Sequence, residues 1–506
     1  MKHFRPAFVA TSFLLAACPP PAGDTTVGSS ESGSEGESSS GDTDSGVTQS
    51  TPADPTTEGE TTATSTGVSD SESMTGPSTD PSTSTSTGPS PDCRDDGDCS
   101  GGTPFCSDGT CVACDGTADP NAACAGLGGD LNFCVAGECH ECSVDDNQCD
   151  KSTPVCDADA LECVGCTLHA QCPDSACNLE TGVCNDVNYV IYVDRLAADC
   201  AVGDGTQAMP YCKVTEALVR TMDEPGAGWT IKVRAGNYIE EPLTIPSDAQ
   251  ITLSGWDGTP RLRATDDAGP TLAVSGNAKV QLDHIQFSNN DSAEGVRCAG
   301  GVVYADDVKL STNKAAGYSS TDCTSTFNRT VFYDNDGGGI ESYGAGRTTI
   351  INSYITGNGT QNSGDFGGIR SAQENELHLI YSTVVNNLSM SGPRSLHCTV
   401  DAFPAEVRNS VLIAFAVPSV DCPVATFTTS VLDEGSTEPG ILVATMGDIA
   451  NFFEPMMGGI YKAKPDTLMK DVAQWKDGDP RTDYDGQARP KTDGELDWPG
   501  ADIPMQ

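Results

Sequence analysis

Ser325-Thr326-Phe327-Asn328-Arg329-Thr330-Val331-Phe332-Tyr333-Asp334-Asn335 is followed by Thr348-Thr349-Ile350-Ile351-Asn352-Ser353-Tyr354-Ile355-Thr356-Gly357-Asn358. Both stretches alternate apolar with other residues, then place apolar residues side by side, and end on Asn. Alternation marks a strand with one face turned inward, because successive side chains leave a strand on opposite sides. Further copies run from Val280-Gln281-Leu282 to Asn290 and from Leu377-His378-Leu379 to Asn387, and weaker ones start at Ala405 and Ala425. Successive starts lie 45, 23, 29, 28 and 20 residues apart, and 45 is two periods with a degenerate copy near Val308. Such a repeat of strands and polar turns predicts a parallel β-helix, each coil stacking on the last about 4.8 Å away. Asn at equivalent turns would then form a hydrogen-bonded ladder. A β-sandwich is the competing fold, but Asn-Gly hairpin turns are scarce between the runs and the period exceeds one strand.

Upstream, strand-like runs occur at Thr230 to Val233, Leu243 to Ile245, Ile251 to Leu253, Arg261 to Arg263 and Leu272 to Ser275. Before them Val214, Ala217, Leu218 and Met222 fall at helical spacing, which predicts a capping helix over Val214 to Glu224. The stretch from Tyr192-Val193-Asp194 through Gly203-Asp204-Gly205-Thr206, Pro210-Tyr211-Cys212 and Val233-Arg234-Ala235-Gly236-Asn237-Tyr238 resembles the start of right-handed parallel β-helix proteins of the pectate-lyase-like superfamily. Asp483-Tyr484-Asp485-Gly486, Arg489-Pro490 and Gly500-Ala501-Asp502 are similar to the closing motif of secreted β-helix repeat proteins. The resemblance covers roughly Asn188 to Gln506 and implies the fold more than any chemistry, since that superfamily includes lyases, hydrolases and non-catalytic binders. The expected layout is a right-handed β-helix over 188–440 and a C-terminal segment over 441–506 packed on it. Three disulfides are expected within it, Cys200 with Cys212, Cys298 with Cys323 and Cys398 with Cys422, each stapling about one coil.

Sixteen of the chain's 23 cysteines fall between Cys93 and Cys184. They divide into four modules of four within 93–187: Cys93, Cys99, Cys106, Cys111; Cys114, Cys124, Cys134, Cys139; Cys142, Cys149, Cys156, Cys163; and Cys166, Cys172, Cys177, Cys184. Thr103-Pro104-Phe105-Cys106 matches Thr153-Pro154-Val155-Cys156, so the first and third modules share more than their cysteines. In an exported chain this density means disulfides in place of a hydrophobic core. Zinc on the C-x-x-C pairs is the competing reading, and export to an oxidising compartment opposes it. Connectivity inside a module stays open. The block resembles short cysteine-rich repeats on surface lipoproteins of Gram-negative bacteria, which implies a stalk or a protein-binding array.

The chain begins with Lys2 and Arg5, an apolar run from Pro6 to Ala17, and Leu15-Ala16-Ala17-Cys18. That resembles a bacterial lipobox, with a signal peptide over 1–17 and a lipidated Cys18. From Pro19 to Asp92 there is neither an aromatic residue nor Lys or Arg, so 18–92 is expected to be a disordered acidic tether. The formal charge of −46 repels phosphate backbones and anionic lipid, which excludes nucleic acid and polybasic membrane docking. Expected partners are the membrane, through lipid chains alone, and a polysaccharide or surface protein. The expected location is the outer membrane or surface of a Gram-negative cell, and the expected state is a monomer.

Candidate chemistry rests on four segments read as equivalent one coil after another: Val296-Arg297-Cys298, Ile340-Glu341-Ser342, Ile369-Arg370-Ser371 and Leu396-His397-Cys398. If the apolar residue faces the core, Arg297, Glu341, Arg370 and His397 project from one outer face, with Glu341 beside Arg370. Asp334, Asp336 and Asp365 lie close by in sequence, in Gly-rich turns. Polysaccharide lyases of the resembled superfamily use acidic side chains, often with calcium, and a basic residue that removes a proton. By that resemblance Arg370 or His397 is the base, with the three aspartates around calcium. Glu341 and Asp365 are the carboxylates available to a glycosidase. Asp483 and Asp485 form a further calcium candidate, set against a structural C-terminal clasp. Tyr343, Phe366 and Tyr381 are candidates for a sugar-stacking strip, whereas His284 and His378 are read as lying within strands. No G-x-S-x-G in the folded part, H-E-x-x-H or Gly-Lys dipeptide is present, so serine-hydrolase, zincin and P-loop chemistry lack their motifs. The favoured function is glycan or surface-partner binding without turnover and with no required cofactor; the alternatives are a calcium-assisted polysaccharide lyase or hydrolase, and a structural adhesion rod.

Overall fold

The computed structural model describes residues 93–505, apart from 145–147, 266–268, 289, 361–363, 365, 391, 393, 415–418 and 434–439. Cys18, the tether and Asp365 therefore lie outside the described residues. Among those described, no helix is long and apolar enough to cross a membrane.

Three parallel sheets of ten, ten and eight strands run the length of a right-handed parallel β-helix. The first sheet begins with Val190–Val193 and continues through Trp229–Arg234, Gln250–Trp256 and Lys279–Asp283 to Ala425–Thr428. Each of the five upstream runs lies in a strand, and the repeat starts at Val280, Ser325, Thr348, Leu377, Ala405 and Ala425 all lie in strands of the first sheet. The degenerate copy near Val308 is a full coil, carrying Val302–Asp306, Lys309–Ser311 and Ala316–Thr321. The second sheet ends with Leu442–Val443, so the coil extends slightly past 440.

Inside, one residue of each alternating pair packs into a common core, for example Ile231, Leu253, Leu282, Phe327 and Ile350 along the first sheet. The helix is Val214–Thr221, shorter than expected because Met222 caps its C-terminal end and is exposed rather than packed. It closes the first coil with Val214, Ala217 and Leu218. Lacking a side-chain cap of its own, it is capped by Glu240, whose carboxylate accepts from the amides of Val214 and Thr215, both at 2.9 Å.

Polar ladders run through the coil stack as well. Asn313, Asn335 and Asn358 each donate Nδ2 to the next Asn Oδ1, at 2.8, 2.8 and 3.0 Å, ending on Asn387. Asn290 joins through its backbone amide, which donates to Asn313 Oδ1 at 3.3 Å. A second ladder was not read from the sequence: the amides of Thr330, Ser353, Ser382 and Ser410 donate to the hydroxyls of Ser353, Ser382, Ser410 and Ser430 at 3.0 to 3.3 Å. The residue before each of these, Arg329, Asn352, Tyr381, Asn409 and Thr429, takes positive φ and turns the chain from the first sheet to the second.

Each cysteine module is a small hairpin closed by two disulfides that join its first cysteine to its third and its second to its fourth, as in Cys93–Cys106 with Cys99–Cys111. The same order holds in the other three modules. All sixteen thiols are thereby consumed, which removes the thiolates that zinc would need. Within the β-helix the bonds are Cys200–Cys212, Cys298–Cys323 and Cys398–Cys422.

Two sheets are covered from outside. The fourth module sits on the first coils of the first sheet: Asn185 donates to Thr230 at 3.1 Å, Lys232 to the Pro173 carbonyl at 2.6 Å, and Lys279 pairs with Glu180 at 2.5 Å. The C-terminal segment covers the second sheet, whose strands Tyr354–Thr356, Thr383–Val385 and Val411–Ile413 are buried at every position. Phe452, Phe453, Tyr461 and Met469 pack there against Tyr354, Val385 and Val411. Arg489 of the closing motif is fully buried, donating to Asp497 and to the Gly500 carbonyl, both at 2.9 Å, and lying 3.9 Å over the Tyr381 ring. Beyond those first coils the first sheet keeps partly or fully exposed outward residues, as in Thr324–Asn328, Arg347–Ile351 and Glu376–Ile380, and so does the third sheet, as in Val296–Ala299 and Ile369–Ser371.

Candidate functional site

The register of the third sheet aligns Ala273, Arg297, Ser319, Glu341, Arg370, His397 and Asp421 as direct neighbours on successive strands. Their chain neighbours Val296, Ile340, Ile369 and Leu396 are buried in the core, so the row faces outward as alternation demands. One expectation needs correction: Arg297 is not one coil from Glu341, because Ser319 stands between them. The strand carrying Ser319, Ala316–Thr321, belongs to the coil of the degenerate copy near Val308.

Arg297 is accordingly engaged elsewhere, with Glu294 at 2.6 Å. Glu341 and Arg370 do meet, at 3.5 Å, with both side chains about one quarter exposed (25% and 24%). The Tyr343 hydroxyl donates to Glu341, and the Arg370 guanidinium lies 5.5 Å from the Tyr343 ring centre and 5.9 Å from that of Phe366. An arginine side chain carries its proton as a matter of course, and this one is engaged by a carboxylate and two ring faces, which opposes its use as a proton-abstracting base. The aromatic strip does not form, since Phe366 is buried beneath this pair and Tyr381 is buried under Arg489, leaving Tyr343 half-exposed.

Of the expected calcium ligands, Asp334 and Asp336 line one small cavity together, and Asp365 lies outside the described residues. Asp336 is paired with Lys314 at 2.7 Å, so an ammonium stands where a cation was expected. Partial burial and the Asp336 carboxylate push the Asp334 carboxyl up. Asp483 accepts from the amides of Gln487 and Ile503 at 2.7 and 3.0 Å, and Asp485 pairs with Lys462, which is the arrangement of a structural clasp. Among the described residues, the only sets of three or more Asp, Glu, His or Cys with ligand atoms within 4.8 Å of one another are cysteines of the disulfide modules. His378 does lie in a strand, bridging Glu376 at 3.0 Å and Glu406 at 3.1 Å, whereas His284 lies in a turn with φ 52°.

One group of titratable residues escaped the sequence reading. Where the fourth module meets the first sheet, His169 faces the strand ends carrying Asp283 and Asp306 across a cavity of about 360 Å³. The signal available was a recurring acidic residue at the ends of consecutive first-sheet strands; the contribution of His169 depends on docking and has no sequence signal.

A protein family of unknown function (DUF8331) matches residues 78–190. No curated protein matches the chain. Among solved structures, the chain is similar to a crystal structure of the pectate lyase Pel9A at 12% identity, over 63% of this chain and 96% of that one, with TM-score 0.31. It is also similar to an arginine-to-alanine variant of the PL6 family alginate lyase AlyGC at 11% identity, over 50% and 55% of the two chains, with TM-score 0.14.

Proposed function

We propose that this chain is a lipid-anchored surface protein whose β-helix binds a neutral or weakly charged glycan along the outer face of its third sheet, without turning it over. The observation that carries this reading is the in-register row Arg297, Ser319, Glu341, Arg370 and His397 on the outer face of the third sheet. The row mixes cationic, neutral and anionic groups, with Glu341 and Arg370 paired, which suits hydrogen bonding to hydroxyls along a polymer better than capture of one strong charge. Coils about 4.8 Å apart repeat these groups at close to the length of one sugar unit in an extended chain. The Glu341–Arg370 contact weighs against the lyase alternative, because a charged and paired guanidinium has no lone pair to take a proton. Export, the anchor at Cys18 and the tether over 18–92 would hold the β-helix away from the membrane.

The test is a glycan array probed with the full chain, with and without calcium, run beside an assay for unsaturated uronate product on acidic polysaccharides. Binding without product is expected. Arg370→Ala should weaken it by roughly tenfold, the scale of one hydrogen bond to a charged group. Product formation would overturn the non-catalytic reading, and unchanged binding by Arg370→Ala would move the site off this sheet.

A further inference from the structure

The cavity between the fourth module and the first sheet is made by two parts of the chain, Leu168 to Ser175 on one side and the strand ends and turns from Lys232 to Arg329 on the other. Its charges are already matched. Asp306 accepts from Arg329 at 2.9 and 2.5 Å, Asp307 contacts His284 at 2.6 Å, and Lys232 donates to the Pro173 carbonyl at 2.6 Å. An ion entering this space would have to break one of these contacts.

His169 is different. It is 5% exposed, it lines the cavity, and neither ring nitrogen has a hydrogen-bond partner among the described side chains. The Cys177 backbone is the one protein group that acts on the ring as a hydrogen-bond partner. Burial holds the imidazole toward its neutral form, which offers one donor and one acceptor. Buried polar groups are nearly always satisfied, so a ring whose one near partner is the Cys177 backbone keeps a position for something else to bind. On the opposite wall, Asp283 accepts from the Ser254 hydroxyl at 2.7 Å, and burial pushes its carboxyl up, toward a form that can also donate.

A hydroxyl is the group that can accept from one of these partners and donate to another, and a compact molecule with adjacent hydroxyls can answer His169 and Asp283 together. Leu168, Pro173 and Trp256 add apolar wall, and the volume lies within the range of small-molecule sites, roughly 300–1,000 Å³. The geometry points to a second binding site, at the junction of the fourth module and the first sheet, for an uncharged polyol the size of one sugar ring. It does not depend on the third sheet, since no residue of the Glu341–Arg370 row lines it.

The experiment is calorimetry and ligand-observed NMR on the full chain with glycerol, glucose, galactose, mannose and N-acetylglucosamine, with phosphate, acetate and calcium as charged controls. Saturable binding of at least one sugar is expected. It should weaken about tenfold or more in His169→Phe, which fills the same space without a donor or acceptor, and in Asp283→Ala. His169→Gln, which keeps both functions, should retain part of the affinity. Non-reducing peptide mapping would confirm that each variant keeps its disulfides; if His169→Phe fails to fold, Asp283→Ala decides alone. No saturable binding by any sugar, a preference for the charged controls, or sugar binding untouched by Asp283→Ala overturns the inference.

Discussion

At Asp502 the surroundings decide the charge. Burial first, then the carboxylates of Asp483 and Asp485, push its carboxyl up to about 7. An unfolded aspartate titrates near ~3.9. The folded clasp therefore holds this proton more tightly than the unfolded chain does, and the stability it contributes is complete below about pH 4 and lost as pH rises toward 7. Asp502→Asn should remove that slope, so that thermal melts of the variant and the parent differ more at pH 8 than at pH 4.5, in favour of the variant. A parent-to-variant difference that stays constant across that range would show that Asp502 does not titrate in this way. Arg489 is the contrasting case: equally buried, it is matched by Asp497, a carbonyl and a tyrosine ring, and serves the clasp rather than any ligand. The motif Asp483-x-Asp485-Gly486 was legible as either a calcium loop or a clasp, and only the amides of Gln487 and Ile503 on Asp483 distinguish the two.

Between coils, the Asn ladder does what strand pairing cannot, because it satisfies buried polar groups at the turn from the second sheet to the third. Asn335 donates Nδ2 to Asn358 Oδ1 at 2.8 Å and to the Leu310 carbonyl at 3.0 Å, while its own Oδ1 accepts from both the amide and Nδ2 of Asn313. Asn335→Ala strands several of these at once, with an expected cost of about 2–4 kcal/mol in urea unfolding. A loss below about 0.5 kcal/mol would show that the turn relaxes around the gap. This ladder was readable because Asn recurs at one phase of the period. The hydroxyl ladder was not, although Ser353, Ser382, Ser410 and Ser430 recur just as regularly, because serine is common in any turn and carries no phase signal by itself. The Val302 to Thr321 coil was legible as a degenerate copy near Val308, but its third-sheet strand Ala316–Thr321 was not, since Gly317 and several serines dilute the apolar alternation there, and that one omission misplaced Arg297 beside Glu341.

On the scale of the molecule, the fourth module covers the first coils of the first sheet and the C-terminal segment covers the second sheet, while the outward row of the third sheet stays partly exposed. Removing residues 445–506 would bare Tyr354, Val385, Val411 and Ile413 on the second sheet, an apolar patch of the kind that drives association. The truncated chain should elute as soluble aggregate in size-exclusion chromatography, where the full chain is expected as a monomer; monomeric elution of both would show that the segment is dispensable. Cys18→Ser should shift the protein from the membrane fraction to the soluble exported fraction, and its persistence with membranes would rule out the lipid anchor. The sequence by itself determined the coil, its period, the Asn ladder, the modular grouping of the cysteines and the outward phase of Arg297, Glu341, Arg370 and His397, because these follow from local alternation and from residue types recurring at fixed spacing. Only the tertiary structure decided which cysteines pair within a module, that Phe366 and Tyr381 are covered, that Lys314 stands beside Asp336, and that His169 meets the strand ends of Asp283 and Asp306. Those facts depend on which surfaces come together across long separations, and apolar burial, which drives such docking, is non-directional and leaves no periodic trace in the chain.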